Sequence, residues 1–193
     1  MFEQLLKSIS KVVTLTEEES AYCRSCFISQ KLGKRQTLLQ EGEVCRYTVF
    51  VDKGLLRSFI IDDKGTEHIL QFAFEGWWMA DLYSFLTDEP SLYYMDAIEE
   101  SELLMIDRIA WEDLLDHVPA MERYFRILIQ NNLIATQRRL MGVMSDTAEE
   151  KYSKLLQTFP ACIQRVPQHM IASYLGMTRE TLSRTRGQMA GKK

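Results

Sequence analysis

The sequence predicts an α+β protein in three parts: a β-rich domain over residues 1–118, a long helix over 119–144 and a small helical domain over 145–193. Three observations predict this organisation. Short apolar runs alternate with glycine-bearing turns between about 37 and 106, as is typical of antiparallel sandwiches and barrels. A stretch of roughly twenty residues without proline or glycine then predicts the long helix. The carboxyl-terminal segment finally shows two helical patterns joined by a tight turn.

The first thirty residues predict short helices, and Thr16 is a plausible N-cap for the second of them. A loop or short helix over 77–90 interrupts the β pattern that follows. The predicted strands are Leu38–Leu39, Tyr47–Val51, Leu55–Ile61, Glu67–Phe74, Leu92–Ile98 and Ser101–Ile106. After them, Asp107 has the position of a cap for a helix over Arg108–Leu115.

Two of the four cysteines, Cys23 and Cys26, form a C-x-x-C within a segment, Glu17–Gln30, that the sequence predicts to be helical. Zinc and iron–sulfur sites usually take four ligands, whereas Cys45 and Cys162 each stand alone. Spacing of three residues also arises by chance on a helix. We therefore predict a structural role and no metal site, with a redox role of the pair as the alternative.

The long helix carries more apolar residues than one face of a sandwich can cover. Ile127, Ile134 and Met141 recur every seven residues, and Leu133 and Leu140 do the same. This repeat predicts that part of the helix pairs with a second copy of itself, so that the protein is a homodimer. The alternative is a single helix that is buried within its own chain.

The strongest motif lies near the carboxyl end. Pro167 suits a helix start, Ala172 is small enough for a second helix to pass close by, and Gly176 permits a left-handed turn. Thr178 then caps a second helix whose core side is Leu182. Asp146, with Glu149 three residues later, predicts a capping box for the helix that precedes the motif.

This pattern predicts a helix-turn-helix whose second helix enters the major groove of double-stranded DNA. Arginine can pair with guanine there, and glutamate can accept from cytosine. The predicted DNA-binding residues are Gln168, Thr178, Arg179, Glu180, Ser183, Arg184 and Arg186, with Lys192 and Lys193 as further phosphate contacts. The alternative is an ordinary helical hairpin with a charged, solvated face.

The overall charge of −4 hides an asymmetry. Residues 136–193 contain 10 lysines and arginines against 4 acidic residues, a net charge of +6, while residues 1–135 carry −10. A basic tail on an acidic body indicates that only the tail meets a polyanion.

From Leu38 onward, the chain resembles the CRP/FNR family of bacterial regulators. Gly42, Gly54, Gly65 and Gly76 look like the turn glycines of the family. The run Arg179-Glu180-Thr181-Leu182-Ser183-Arg184 is similar to its recognition helix. The resemblance implies a double-stranded β-helix (jelly-roll-like) sensor domain, a dimerisation helix and base reading by Arg179, Glu180 and Arg184. It also implies a role in transcription regulation, with RNA polymerase as a candidate partner.

Two departures concern the ligand site of the family. Ala80 and Asp81 stand where cyclic-nucleotide binders have Gly-Glu, and Ser91 stands at their arginine position. Without that arginine no side chain neutralises a cyclic phosphate, so we expect cyclic AMP not to be the ligand and predict no cofactor. Another small molecule, or none, is expected. The candidate ligand-binding residues are Trp78, Asp81, Leu82, Tyr83, Ser84, Ser91 and Thr136, together with Trp77, although aromatic residues there also suit core packing.

Other function classes find little support. A cupin-type enzyme needs clustered metal ligands, but His68, His117 and His169 are far apart in sequence, so no enzyme is predicted. No run of 18 apolar residues and no signal peptide are apparent, which predicts a cytoplasmic protein without membrane contact. Only seven residues follow Arg186, so the wing hairpin of the family is expected to be absent. A sensor that acts through protein partners instead of DNA is the remaining alternative.

Overall fold

The computed structural model describes residues 2–190, which form two compact units. The first comprises residues 2–60 together with Gln71–Gln130, and the second comprises Ile61–Leu70 together with residues 131–190. The domain boundaries after residues 118 and 144 stay predictions. Within the described range, no helix combines the length and the apolar character that crossing a bilayer requires.

Helices flank the β-rich part of the chain on both sides in sequence. Within residues 2–190 they are α1 (Glu3–Ser10), α2 (Glu17–Ser25), α3 (Leu82–Thr87), α4 (Arg108–His117), α5 (Ala120–Ser145), α6 (Ala148–Thr158), α7 (Pro160–Arg165), α8 (Gln168–Tyr174) and α9 (Arg179–Ala190). The strands are β1 (Ile28–Leu32), β2 (Thr37–Leu39), β3 (Tyr47–Lys53), β4 (Leu56–Ile61), β5 (Glu67–Ala73), β6 (Trp78–Met79), β7 (Tyr94–Ala97) and β8 (Ser101–Asp107).

The strands form two four-stranded sheets, in the orders β1-β8-β3-β6 and β2-β7-β4-β5. β3 pairs antiparallel with β8, and β4 pairs antiparallel with β7. The predicted α+β class with a jelly-roll-like β domain is thereby confirmed. Strands that are distant in sequence therefore lie side by side in both sheets.

Apolar side chains fill the space between the sheets, where alternate residues of each strand point inward. This interior includes Val49, Val51, Leu56, Met95 and Leu103, all at most 2% exposed. A second apolar cluster joins the outer side of the β1-β8-β3-β6 sheet to α1, α2, α4 and the first turns of α5. The described interior of the roll is therefore apolar and mainly aliphatic, with Phe85 and the Cys45 thiol among its buried side chains.

Gly54 lies at the turn between β3 and β4 and has a φ of +100°. A Cβ atom built there would lie 2.5 Å from the carbonyl oxygen of Glu100 and 2.3 Å from the hydroxyl of Ser101. Glycine is required at this turn both for the left-handed backbone and for the close approach of the neighbouring chain.

Two local predictions are wrong. The helix expected over Glu17–Gln30 ends at Ser25, because Ile28–Leu32 pairs with β8 as an edge strand and the sheet overrides the local helical preference. The capping box before α6 uses Thr147 and Glu150 rather than Asp146 and Glu149. Thr147 accepts from the Glu150 amide while the Glu150 carboxylate accepts from the Thr147 amide.

Candidate nucleic-acid interface and sensor loop

The helix-turn-helix consists of α8, a turn over 175–178 and α9. Ile171, Ala172 and Leu182 are at most 2% exposed and form the contact between the two helices. Gly176 has a φ of +64°, which confirms the left-handed turn, and the next amide, of Met177, donates to the carbonyl of Ala172 at 3.0 Å. The small side chain of Ala172 allows this close approach.

Thr178 caps α9 as predicted, because its hydroxyl accepts from the amide of Thr181 at 3.2 Å. Glu180 lies in the first turn, where the helix dipole favours a negative charge. Its own backbone amide and then the Thr178 hydroxyl lower the pKa of the Glu180 carboxyl, with Arg179 and Arg184 contributing. Glu180 therefore stays ionised at neutral pH and can only accept hydrogen bonds from a partner.

The outer face of α9 is accessible. Leu182 and Thr185 point inward and are buried, whereas the side chains of Arg179, Glu180, Ser183 and Arg184 are exposed. Spacing of three and four residues places these side chains on one face of the helix. Gln168 and Thr178 are exposed and Arg186 is half-buried, while Lys192 and Lys193 lie outside the described residues.

In the sensor domain, the loop between β6 and β7 is held by a buried network around Asp81. One carboxyl oxygen of Asp81 accepts from the Ser84 amide at 3.2 Å, which caps α3, and the other accepts from the Ser91 hydroxyl at 2.8 Å. The hydroxyl of Ser84 donates to the carbonyl of Glu89 at 2.6 Å and accepts from the Cys45 amide at 2.8 Å. Asp81, Ser84 and Ser91 are at most 4% exposed.

The other candidate ligand residues are not part of this network. Trp77 is half-buried beside the interior of the roll, and Trp78 donates from its indole to the hydroxyl of Tyr124 at 2.9 Å. Leu82 and Tyr83 point into solvent from α3, and Thr136 is exposed on the part of α5 that belongs to the second unit. The structure thus brings together Asp81, Ser84 and Ser91, while the other predicted residues pack elsewhere or are exposed to solvent.

Sequence reasoning missed Tyr93, the residue before β7, whose hydroxyl donates to the carbonyl of Ala80 at 3.1 Å and so joins the two ends of the same loop. Burial raises the pKa of this phenol well above its usual range, so it stays protonated and acts as a donor. No local sequence signal marks Tyr93, because its partner lies 13 residues away.

The cysteines of the described chain are free thiols, and three of them are buried. Burial raises the pKa of Cys23 to about 12, and burial also raises the pKa of Cys26. A thiol with a raised pKa holds little thiolate at neutral pH and is a poor nucleophile and metal ligand. Among residues 2–190, no three or more His, Cys, Asp or Glu side chains are grouped to hold a metal ion.

Several known proteins are similar to this chain in sequence or in fold. Residues 29–118 match the family model of the cyclic nucleotide-binding domain. The chain is 25% identical over 189 residues to the regulatory protein HlyX of Actinobacillus pleuropneumoniae, covering 91% of this chain and 77% of the relative. It is 24% identical over 170 residues to the fumarate and nitrate reduction regulatory protein of Vibrio cholerae, covering 81% and 66%.

Among solved structures, that of FixK2 from Bradyrhizobium japonicum has a TM-score of 0.72 at 18% identity and covers 86% of this chain and 85% of its own. That likeness concerns the fold. Residues 29–118 thus form a cyclic nucleotide-binding domain by their match to that family, and the chain as a whole is similar to transcription regulators of the CRP/FNR type.

Proposed function

We propose that this chain acts as a homodimer that binds a near-palindromic DNA site and reads base edges with α9. The observation that carries the proposal is the exposed row formed by Arg179, Glu180, Ser183 and Arg184 above the buried Leu182 and Thr185. A helix seated in this way presents its amino-terminal half to the major groove. Arg179 and Arg184 are assigned to guanine and Glu180 to cytosine.

The remaining DNA contacts are assigned to the phosphate backbone. Gln168 begins α8 and Thr178 precedes α9, so both lie at helix amino termini, where phosphates commonly bind. Arg186 is half-buried and lies about one turn beyond Ser183 on α9, which suits a contact at the edge of the groove.

The second half of α5 supports a dimer. Six of its large apolar side chains are between 47% and 80% exposed within one chain, so the alternative of intramolecular burial leaves them in water. These residues are Ile129, Leu133, Ile134, Leu140, Met141 and Met144. Pairing with the same helix of a second copy would cover them and place two α9 helices one turn of DNA apart.

The sensor domain is proposed to respond to a molecule other than cyclic AMP, or to none. The polar groups of its loop are already bonded to one another through Asp81, Ser84 and Ser91, and Ser91 offers no positive charge to a phosphate. An effector would meet Trp77 and the apolar interior instead. Binding rather than catalysis is the proposed activity, and RNA polymerase is a proposed partner of the DNA-bound form.

The test is selection of genomic fragments by the purified full-length protein, followed by titration of the selected duplex. The double variant Arg179→Ala/Arg184→Ala is expected to lose at least about 100-fold in affinity for the selected duplex, because each bidentate pair discriminates by about 1–3 kcal/mol. Its affinity for an unrelated duplex should fall far less. Arg138→Ala is the matched control, because this exposed arginine lies on α5 outside the motif.

Unchanged sequence preference in the double variant would remove the assignment of α9 as the reading helix. Failure of the wild-type protein to select any duplex would favour action through protein partners instead.

A further inference from the structure

The tip of the β4–β5 hairpin belongs to the same compact unit as the helix-turn-helix. The contact is made by Ser173 of α8. The amide of Ile69 donates to the Ser173 hydroxyl oxygen at 2.9 Å, and that hydroxyl donates to the carbonyl of Glu67 at 3.0 Å. One side chain of the DNA-binding motif thus bonds two backbone groups of a strand that begins in this unit and continues into the sensor sheet.

The two groups lie on the outer edge of the sheet. β5 is the last strand in the order β2-β7-β4-β5, and Glu67 and Ile69 are two residues apart, so their polar groups point to the same side. A hydroxyl can donate and accept at once, so Ser173 takes the place that a neighbouring strand would occupy. Ile69 is only 4% exposed, which makes an unpaired amide costly there.

The hairpin tip is rigid enough to hold a position. Asp62 accepts from the amides of Lys64 and Thr66, both at 2.9 Å, and its second carboxyl oxygen lies 2.8 Å from Nε2 of His68. The Asp62 amide donates to the carbonyl of Thr66 at 3.0 Å. A turn that is closed by several hydrogen bonds keeps its shape, so Glu67 and Ile69 present their backbone groups from a well-defined edge.

The α8 helix and the turn after it also contact α5. The guanidinium carbon of Arg139 lies 4.8 Å from the ring centroid of Tyr174, and the turn at Gly176 faces the side chain of Val143. The orientation of α8 sets that of α9, because the two helices share the buried contact of Ile171, Ala172 and Leu182. Ser173 is therefore one of a few attachments that decide where the reading face points.

We infer that Ser173 is a positioning residue for DNA reading, whose hydroxyl fastens α8 to the edge of β5 and holds α9 in its DNA-competent orientation. The inference rests on the proposed function. Two hydrogen bonds within the second unit fasten α8 to β5, so that their loss changes DNA affinity without any change in the base-reading residues.

The experiment compares full-length wild type with Ser173→Ala, Ser173→Thr and Ser153→Ala, the last being the control because Ser153 is a half-buried serine on α6. Two quantities are measured: affinity for the duplex selected by the wild type, and hydrogen exchange of the Ile69 amide without DNA. Ser173→Ala should bind about tenfold more weakly with an unchanged sequence preference. Its Ile69 amide should exchange at least about tenfold faster.

Ser173→Thr keeps both hydrogen-bonding functions and should restore affinity and exchange toward wild type, while Ser153→Ala should change neither. Because coupling is reciprocal, added duplex should slow exchange of the Ile69 amide in the wild type. Unchanged affinity of Ser173→Ala, with faster exchange at Ile69, would show an attachment that does not position the motif and would overturn the inference. If the wild type selects no duplex, the proposed function fails and the inference falls with it, although exchange at Ile69 still reports whether the attachment exists.

Discussion

At the residue scale, Asp81 shows how one buried side chain can order the loop between β6 and β7. Its two carboxyl oxygens bond to groups three and ten residues later, so the start of α3 and Ser91, three residues before β7, are drawn together. The same buried position would otherwise need a ligand or water to satisfy the Ser84 amide. The loop is therefore ordered by the chain itself.

Replacing Asp81 with alanine should lower the free energy of unfolding by about 2 kcal/mol, because an N-cap is lost and a buried hydroxyl loses its acceptor. The loss is limited because Ser91 can still donate to the carbonyl of Tyr93, at 3.0 Å. Urea unfolding followed by tryptophan fluorescence measures the change.

Glu89→Ala is the control for this variant, because Glu89 is exposed in the same loop and should cost less than about 0.5 kcal/mol. Equal stability of the two variants would contradict the structural role of Asp81. A clear calorimetric heat for cyclic AMP with the wild type would contradict the closed loop as a whole.

At the scale of a single element, α5 combines two different environments. Its first turns are buried through Met121, Tyr124 and Phe125, and Tyr124 receives a hydrogen bond from Trp78. Its second half exposes leucine, isoleucine and methionine side chains to solvent. The first turns of α5 are therefore anchored by packing, while its second half presents an apolar surface that a partner could cover.

The double variant Leu133→Glu/Leu140→Glu should abolish dimerisation, because like charges at two positions seven residues apart would face their counterparts in the pair. Sedimentation velocity at micromolar concentration should show a dimer for the wild type and a monomer for the variant. DNA affinity should fall with it, because two half-sites can no longer be bound together.

Ala135→Glu is the matched control, because this exposed residue lies about half a turn away from Leu133 around the helix. It should leave the protein dimeric. A wild-type protein that remains monomeric, or a double variant that remains dimeric, would rule out this face as the interface.

At the scale of the whole molecule, charge is divided along the chain. Residues 136–193 have a net charge of +6 and residues 1–135 have −10. The positive charge lies in the segment that holds the helix-turn-helix, so attraction to DNA is confined to that segment. The pKa of the Glu180 carboxyl is lowered within this segment, and Glu180 therefore remains charged down to mildly acidic pH.

The logarithm of the DNA association constant should fall linearly with the logarithm of salt concentration, with a slope of about −5 for a dimer with about three phosphate contacts per subunit. Titrations between about 50 and 200 mM salt measure it. Glu17→Gln, an exposed change in the acidic domain, should leave the slope unaltered. A slope near zero would mean that the basic segment does not contact the phosphate backbone.

The helix-turn-helix was predictable from the sequence because every signal in it is local. The cap at Thr178, the left-handed turn at Gly176 and the buried side of Leu182 each act within a few residues, and all three are confirmed. Six of the described strands, β2 to β5, β7 and β8, were predictable for the same reason, since strand periodicity and turn glycines are short-range patterns, whereas β1 and β6 were missed.

Only the tertiary structure decided the contacts between distant segments. Ile28–Leu32 became a strand because β8 offered it backbone partners, and Tyr93 joined the sensor loop across 13 residues. Ser173 forms its hydrogen bonds with β5 across more than a hundred residues of sequence. Hydrogen bonds of this kind form only where the folded chain brings two distant groups together, and a pattern of neighbouring residues does not predict such a contact.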